Sequence, residues 1–256
     1  MLNETKKEAL LLSLENQLKA KGSTKNTIKT YRRHNTIFLN QVQKDLEDIN
    51  QEDIKEYFSK ATETPSTLAL KKSALKSLFH NLLQKDIVKI NTPKVEKSET
   101  QTLSNEEVKT LIEASKHEKS KLIMKLLYST GLKVSELTNL RLTDINLDTN
   151  VCWIKKDNRA RDRTIKFPES LLDDLKKYLG SLPQESEFLL SSDDKQMSPR
   201  NIQKIVQRTS KRAKLEKTVT PSILRQSYSS HLLAQGVDVK TIKKLLGYSN
   251  STQYRK

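Results

Sequence analysis

The chain has 256 residues, enough for one large or two modest domains with real cores, and its 47 Lys and Arg against 31 Asp and Glu leave a formal net charge of +16. Such an excess points to a polyanionic partner, nucleic acid foremost, with a lysine-rich solvated surface as the plain alternative. A single cysteine, Cys152, excludes an internal disulfide framework and suits a reducing compartment; no stretch reaches the apolar length of a membrane span, and the charged, amphipathic start MLNETKKEALLLSLENQL differs from a signal peptide, so a cytoplasmic protein without a membrane partner is expected.

Five glycines, six prolines and few aromatics beside abundant Lys, Leu, Glu and Ser favour a mainly α fold. Leu10, Leu11, Leu14 and Leu18 form the apolar stripe of a first helix. Ser23, Thr24 and Asn26 then precede a second carrying Ile28, Tyr31, Ile37, Phe38 and Leu39. Leu46 and Ile49 lead into a third with Ile54, Tyr57 and Phe58, and Ser66 opens a fourth whose buried face is Leu68, Leu75, Leu78, Phe79, Leu82 and Leu83. Short connections make these a helical bundle over residues 1–91. Residues 92–102, TPKVEKSETQT, lack apolar periodicity and read as a linker. A second domain, 103–256, starts where Ser104 and Glu107 form a capping box ahead of Val108, Leu111 and Ile112.

Leu122 to Tyr128 reads as a buried helix ended near Gly131. VCWIKKDNRARDRTIKFP is the one clear β element, with Cys152, Trp153 and Ile154 on one strand, Asp157-Asn158 as turn chemistry, and Thr164, Ile165 and Phe167 returning. Leu171 to Leu179 is an amphipathic helix, and Ser198-Pro199 caps another decorated by Arg200, Lys204, Arg208, Lys211 and Arg212. Near the end, Thr220 caps and Pro221 starts a helix with Leu224, Tyr228 and Leu232 at four-residue spacing, while Ser222, Arg225 and Ser229 fall on a different stripe. Arg225 is therefore expected to point away from the apolar side. Gly236 stops that helix, Asp238 caps a last one with Val239, Ile242, Leu245 and Leu246, and Gly247 closes it.

TPSILRQSYSSHLL followed by GVDVKTIKKLLGYS and a late tyrosine resembles the C-terminal signature of tyrosine recombinases, the phage-integrase and Xer-like enzymes that break and rejoin DNA. STKNTIKTYRRHNTIFL and TLALKKSALKSLFHNLLQKDIVKINTP are similar to that family's core-binding domain. The resemblance implies a two-domain, mainly α protein with a small β-hairpin or sheet, shaped as a clamp around double-stranded DNA. Lys25, Lys29, Arg32, Arg33, Lys71, Lys72 and Lys76 would track phosphates, with Arg159 and Arg161 in the hairpin and Arg200 and Lys204 on the later helix. The family's reaction uses neither metal nor cofactor: a tyrosine hydroxyl attacks the scissile phosphate and forms a 3′-phosphotyrosine, arginines stabilise the phosphate oxygens, and a hairpin lysine protonates the leaving oxygen.

On this resemblance Arg225 is the second arginine, Lys156 the lysine with Lys155 close behind, Glu136 the acid that holds the site together, and Tyr254 the nucleophile. The chain also departs from the pattern. Lys133 stands where the family has arginine, Ser222 where it has histidine, and Tyr248 where it has a second histidine or tryptophan. An ammonium is a point charge without a guanidinium's paired donors, and a serine hydroxyl titrates too far from neutrality to stand in for imidazole. Tyr254 follows Tyr248 by six residues, where the family usually leaves nine. His231 is expected to be a packed or surface histidine. Three readings follow: a DNA-binding relative impaired in cleavage, pairing with itself as a dimer or tetramer or with an active relative; a working recombinase or integrase; and a non-enzymatic regulator or architectural protein.

Overall fold

The computed structural model describes residues 3–93, 101–155, 163–192 and 195–248. The chain divides into two compact units, Met1–Ser98 and Glu99–Lys256, each built around its own apolar core.

The first unit contains α1 (Glu4–Ala20), α2 (Lys25–Val42), α3 (Gln51–Ser59) and α4 (Pro65–Lys76), the last running on into a π-helical turn at Ser77–Leu82. Each helix starts at a side-chain cap: Asn3, Thr24, Asn50 and Thr64 accept from backbone N–H groups of the first turn. The fourth helix begins at Pro65 rather than at the predicted Ser66, because Thr64 caps it and proline suits the first helical position. Phe38 sits at the centre of the core, edge-to-face with Tyr57 at 5.0 Å and with Phe79 at 5.7 Å. Leu11, Leu14, Ile54, Leu75 and Leu78 close around them.

In the second unit the capping box forms as the sequence predicts, with Glu107 N–H bonded to Ser104 Oγ and Ser104 N–H to Glu107 Oε2, and opens α5 (Asn105–Glu113). There follow α6 (Glu118–Thr130), the short α7 (Val134–Thr138), a 3-10 turn at Leu142–Asp144, and a sheet of β1 (Ile145–Asn146), β2 (Val151–Ile154) and β3 (Arg163–Lys166). The sheet is antiparallel in the order β1-β2-β3, with Cys152 opposite Ile165 and Ile154 opposite Arg163. Its first strand has only two residues, too few for a period-two pattern to mark it in the sequence. α8 (Glu169–Gly180), a two-residue ladder of β4 (Ser191–Ser192) with β5 (Lys195–Gln196), α9 (Pro199–Arg212), α10 (Pro221–Ala234) and α11 (Val239–Leu246) complete the unit. α6 is its central helix: Leu122, Ile123, Met124, Leu126 and Leu127 are buried, and α5, α8, α9 and α10 all pack on it. Among the described residues no helix is long and apolar enough to cross a membrane.

Candidate functional site

Three charged side chains converge inside the second unit. Glu136 lies in the first turn of α7, where its Oε2 accepts from Lys133 N–H at 2.8 Å. Arg163 alternates along β3 with Ile165 and Phe167, so it turns inward with them. Its two terminal nitrogens donate to the two oxygens of Glu136 at 2.6 and 2.8 Å, a bidentate pair. Arg225 Nη1 approaches the same carboxylate at 3.9 Å, and the Arg225, Glu136 and Arg163 side chains are only 7%, 10% and 15% exposed. Burial alone would raise the Glu136 carboxyl's pKa. The hydrogen bonds and charge of Arg163, with Lys133 N–H and Arg225 adding to them, outweigh burial and hold it below the usual range, so it is ionised at neutral pH.

Arg225 is held by the ends of two helices. Its Nη1 donates to Gly131 O, just past α6, and its Nη2 to Leu246 O at 2.5 Å, the last residue of α11. Helix C-termini leave carbonyls without intrahelical partners and carry partial negative charge, so a guanidinium between two of them satisfies both requirements. The geometry depends on Gly131 and Gly247, which end their helices at φ +60° and +65°. A Cβ on Gly131 would collide with the Leu246 side chain and stand 2.9 Å from the Tyr228 ring; one on Gly247 would stand 2.6 Å from Arg163 Nη1. Tyr248 completes the enclosure, its ring 4.7 Å from the Arg225 guanidinium and its hydroxyl accepting from Nε at 3.3 Å. Arg225 thus points away from the apolar side, as its stripe predicts, yet it is buried among polar partners. Helical spacing shows only which residues share a face; α11 and the turn after α6 cover this one.

The phage integrase family profile matches residues 101–256, and that of the phage integrase N-terminal SAM-like domain matches residues 10–89. The tyrosine recombinase XerA of Pyrococcus furiosus is 31% identical over 260 residues, which cover 98% of this chain and 89% of that protein. The chain belongs to the phage integrase family of tyrosine recombinases. A crystal structure of XerA recombinase superposes with a TM-score of 0.57 at 25% identity, covering 95% of this chain and 90% of that one. A lambda integrase tetramer bound to a Holliday junction shares the fold at a TM-score of 0.76 and 19% identity, over 97% of this chain and 79% of its own.

Within this recombinase fold the predicted site residues fall into three groups. Arg225 and Tyr248 come together as described. Lys133, at the N-cap of α7, and Ser222, in the first turn of α10, are exposed. Lys156, Arg159, Arg161 and Tyr254 lie outside the described residues. Lys155, the alternative to Lys156, donates from Nζ to Asp144 Oδ1 at 2.6 Å. His231 is packed, with Nδ1 2.7 Å from the Tyr128 hydroxyl. No cluster of metal-ligating side chains occurs among the described residues.

The predicted phosphate contacts also divide. Lys25, Lys29, Arg33 and Lys76 in the first unit and Arg200 and Lys204 on α9 are exposed and make no ion pair among the described residues. Arg32, Lys71 and Lys72, also expected to track phosphates, have partners within the unit. Arg32 is paired with Glu8 at 2.5 Å and Glu15 at 2.8 Å; Lys71 is buried, bound to Glu63 and 5.0 Å from the Tyr57 ring; Lys72 donates to Ile90 O. A basic residue one step round the helix from an exposed one can serve the core instead, and composition does not distinguish them. Sequence reading assigned Arg163 no part in this cluster. The signal was its two-residue spacing from Ile165 and Phe167.

Proposed function

We propose that this chain is a DNA-binding tyrosine recombinase relative whose strand cleavage is impaired. The observation that carries the reading is the contrast around Glu136: the Arg163–Glu136–Arg225 core is complete, while the two exposed positions beside it in sequence hold Lys133 and Ser222. Cleavage requires the tyrosine oxygen to bond to phosphorus as the 5′-oxygen leaves and takes up a proton. An ammonium at 133 offers charge without a bidentate pair of donors, and a hydroxyl at 222 cannot exchange a proton near neutral pH. Losing one preorganised donor to a developing charge typically costs about a hundred- to a thousand-fold in rate. Binding suffers less, because Lys133 keeps its charge and the exposed cations of both units remain available to phosphates.

The intact charged core favours a second reading, an active site-specific recombinase with Tyr254 as nucleophile and assembly as a dimer or tetramer on DNA. A nicked suicide duplex, incubated with wild type and Tyr254→Phe and resolved under denaturing conditions, tests the two. The expected result is salt-dependent binding with at most a trace of covalent adduct, and more adduct in Lys133→Arg/Ser222→His. Abundant wild-type adduct that disappears in Tyr254→Phe would make the chain a working recombinase. Specific binding with no adduct in any variant favours the regulator or architectural role.

A further inference from the structure

Beside the charged core lies a cavity of about 310 Å³. Glu136 lines it, so it adjoins the Arg163–Arg225 pair. Its walls combine two aromatic rings with amides. Trp153, on the outward face of β2, is 54% exposed although it is the largest side chain in the chain's sheet. Phe188, also in the lining, carries the Arg141 guanidinium 5.5 Å from its ring centre. Gln196 donates both amide hydrogens, to Thr138 O at 2.9 Å and Asn139 Oδ1 at 2.5 Å. That leaves Gln196 Oε1 and the Asn139 amide nitrogen without a hydrogen bond among the described residues.

Charge selects the class of ligand. Each ionic group in the walls has a partner: Lys155 with Asp144, Arg141 with Glu187, and Glu136 with Arg163. Among the described residues, the lining offers a phosphate no unpaired positive charge. What suits the cavity is flat, uncharged and able to hydrogen-bond at its edge, which describes a nucleobase; indole and stacked guanidinium planes are the surfaces on which unpaired bases lie. The volume is at the lower end of the range for ligand sites, fitting a single base with part of its sugar. We infer that this cavity receives one unstacked base of bound DNA, with Trp153 as its stacking platform. The inference rests on the DNA-binding reading above. An extrahelical base next to the phosphate-handling core would tie the chain's grip to locally unpaired sites, such as a nick or a junction.

Trp153 is the only tryptophan, so its emission reports this cavity alone. The experiment measures fluorescence and affinity with the full chain on two otherwise identical duplexes, one fully paired and one carrying a single unpaired thymidine. Expected are quenching by the second duplex only and about tenfold tighter binding to it, the scale of one base–aromatic stack. Trp153→Ala should abolish this preference while leaving affinity for the paired duplex within about twofold, and Trp153→Phe should keep part of it. Equal affinity for both duplexes, or equal weakening of both in Trp153→Ala, would overturn the inference and leave the DNA-binding reading standing. Failure to bind either duplex would overturn both. Free thymidine is the control: quenching by the nucleoside below the concentration at which either duplex acts would assign the cavity to a small molecule instead.

Discussion

Both units hold paired and exposed cations, but among the described residues only the second brings two arginines onto one buried carboxylate. In the first, the paired cations act singly as clasps: Arg32 spans from α2 to α1 through Glu8 and Glu15, Lys72 holds Ile90 O, and Lys85 holds Leu46 O. In the second, two arginines distant in sequence converge on one buried carboxylate, while Arg200, Lys204, Arg208, Lys211 and Arg212 stand along α9 without an ion pair among the described residues. Scattered, partly exposed clasps are screened by salt and contribute little each. A convergent buried cluster is preorganised and costly to break. Net charge alone hides this division.

The largest effect is expected at the point of convergence. Glu136→Ala leaves two buried guanidinium groups without their carboxylate and should cost about 3–5 kcal/mol in urea unfolding. The same group gives a pH signature. Because its pKa is lowered on folding, its contribution is fully present above the unfolded value near 4.5 and is lost as pH falls through the lower folded value. The stability advantage of wild type over Glu136→Gln should therefore hold at pH 7 and shrink on acidification below that range. If the difference stays constant down to pH 3, the carboxylate is not the element holding the arginines.

Gly131→Ala probes the helix ends that enclose Arg225. With φ at +60° and Tyr228 and Leu246 against the new methyl, it should destabilise by about 1–3 kcal/mol, whereas Gly180→Ala, with open space around it, should be neutral or stabilising. Comparable unfolding midpoints for the two would mean that the enclosure yields easily.

Charge on α9 should register in binding rather than in folding. Lys204→Ala/Arg208→Ala is expected to reduce the slope of log affinity against log salt by about 2 with an unchanged urea midpoint. Arg32→Ala should do the reverse, costing about 1 kcal/mol or less and leaving the salt slope unaltered. A lower salt slope for Arg32→Ala would erase the distinction between the units and return Arg32 to the DNA contacts.

Much of the fold was legible because local rules wrote it. The Ser104–Glu107 capping box, Thr220-Pro221, Asp238 and the closing Gly247 all mark helix ends where the sequence predicts them. Those signals are short-range: each is a side chain and a backbone group within four residues of one another. Strands of two residues escaped, since two residues carry no period. The site was legible in part. Resemblance singled out Arg225 and Tyr248, which the structure brings together, but the burial of Arg225, the internal partners of Lys71 and Lys72, and the pairing of Arg163 depend on residues far away in the chain.

By itself, then, the sequence determined the helix starts and stops, the β2–β3 hairpin, the positive charge and the identity of every charged side chain, because these follow from neighbouring residues and composition. Only the tertiary structure decided which cations are spent and which are available. Arg163 and Arg225 lie 62 positions apart, yet Glu136 lies within reach of both, and carbonyls at the ends of α6 and α11 complete the shell. Coulomb energy and burial depend on distance in space, which the order of residues along the chain does not reveal.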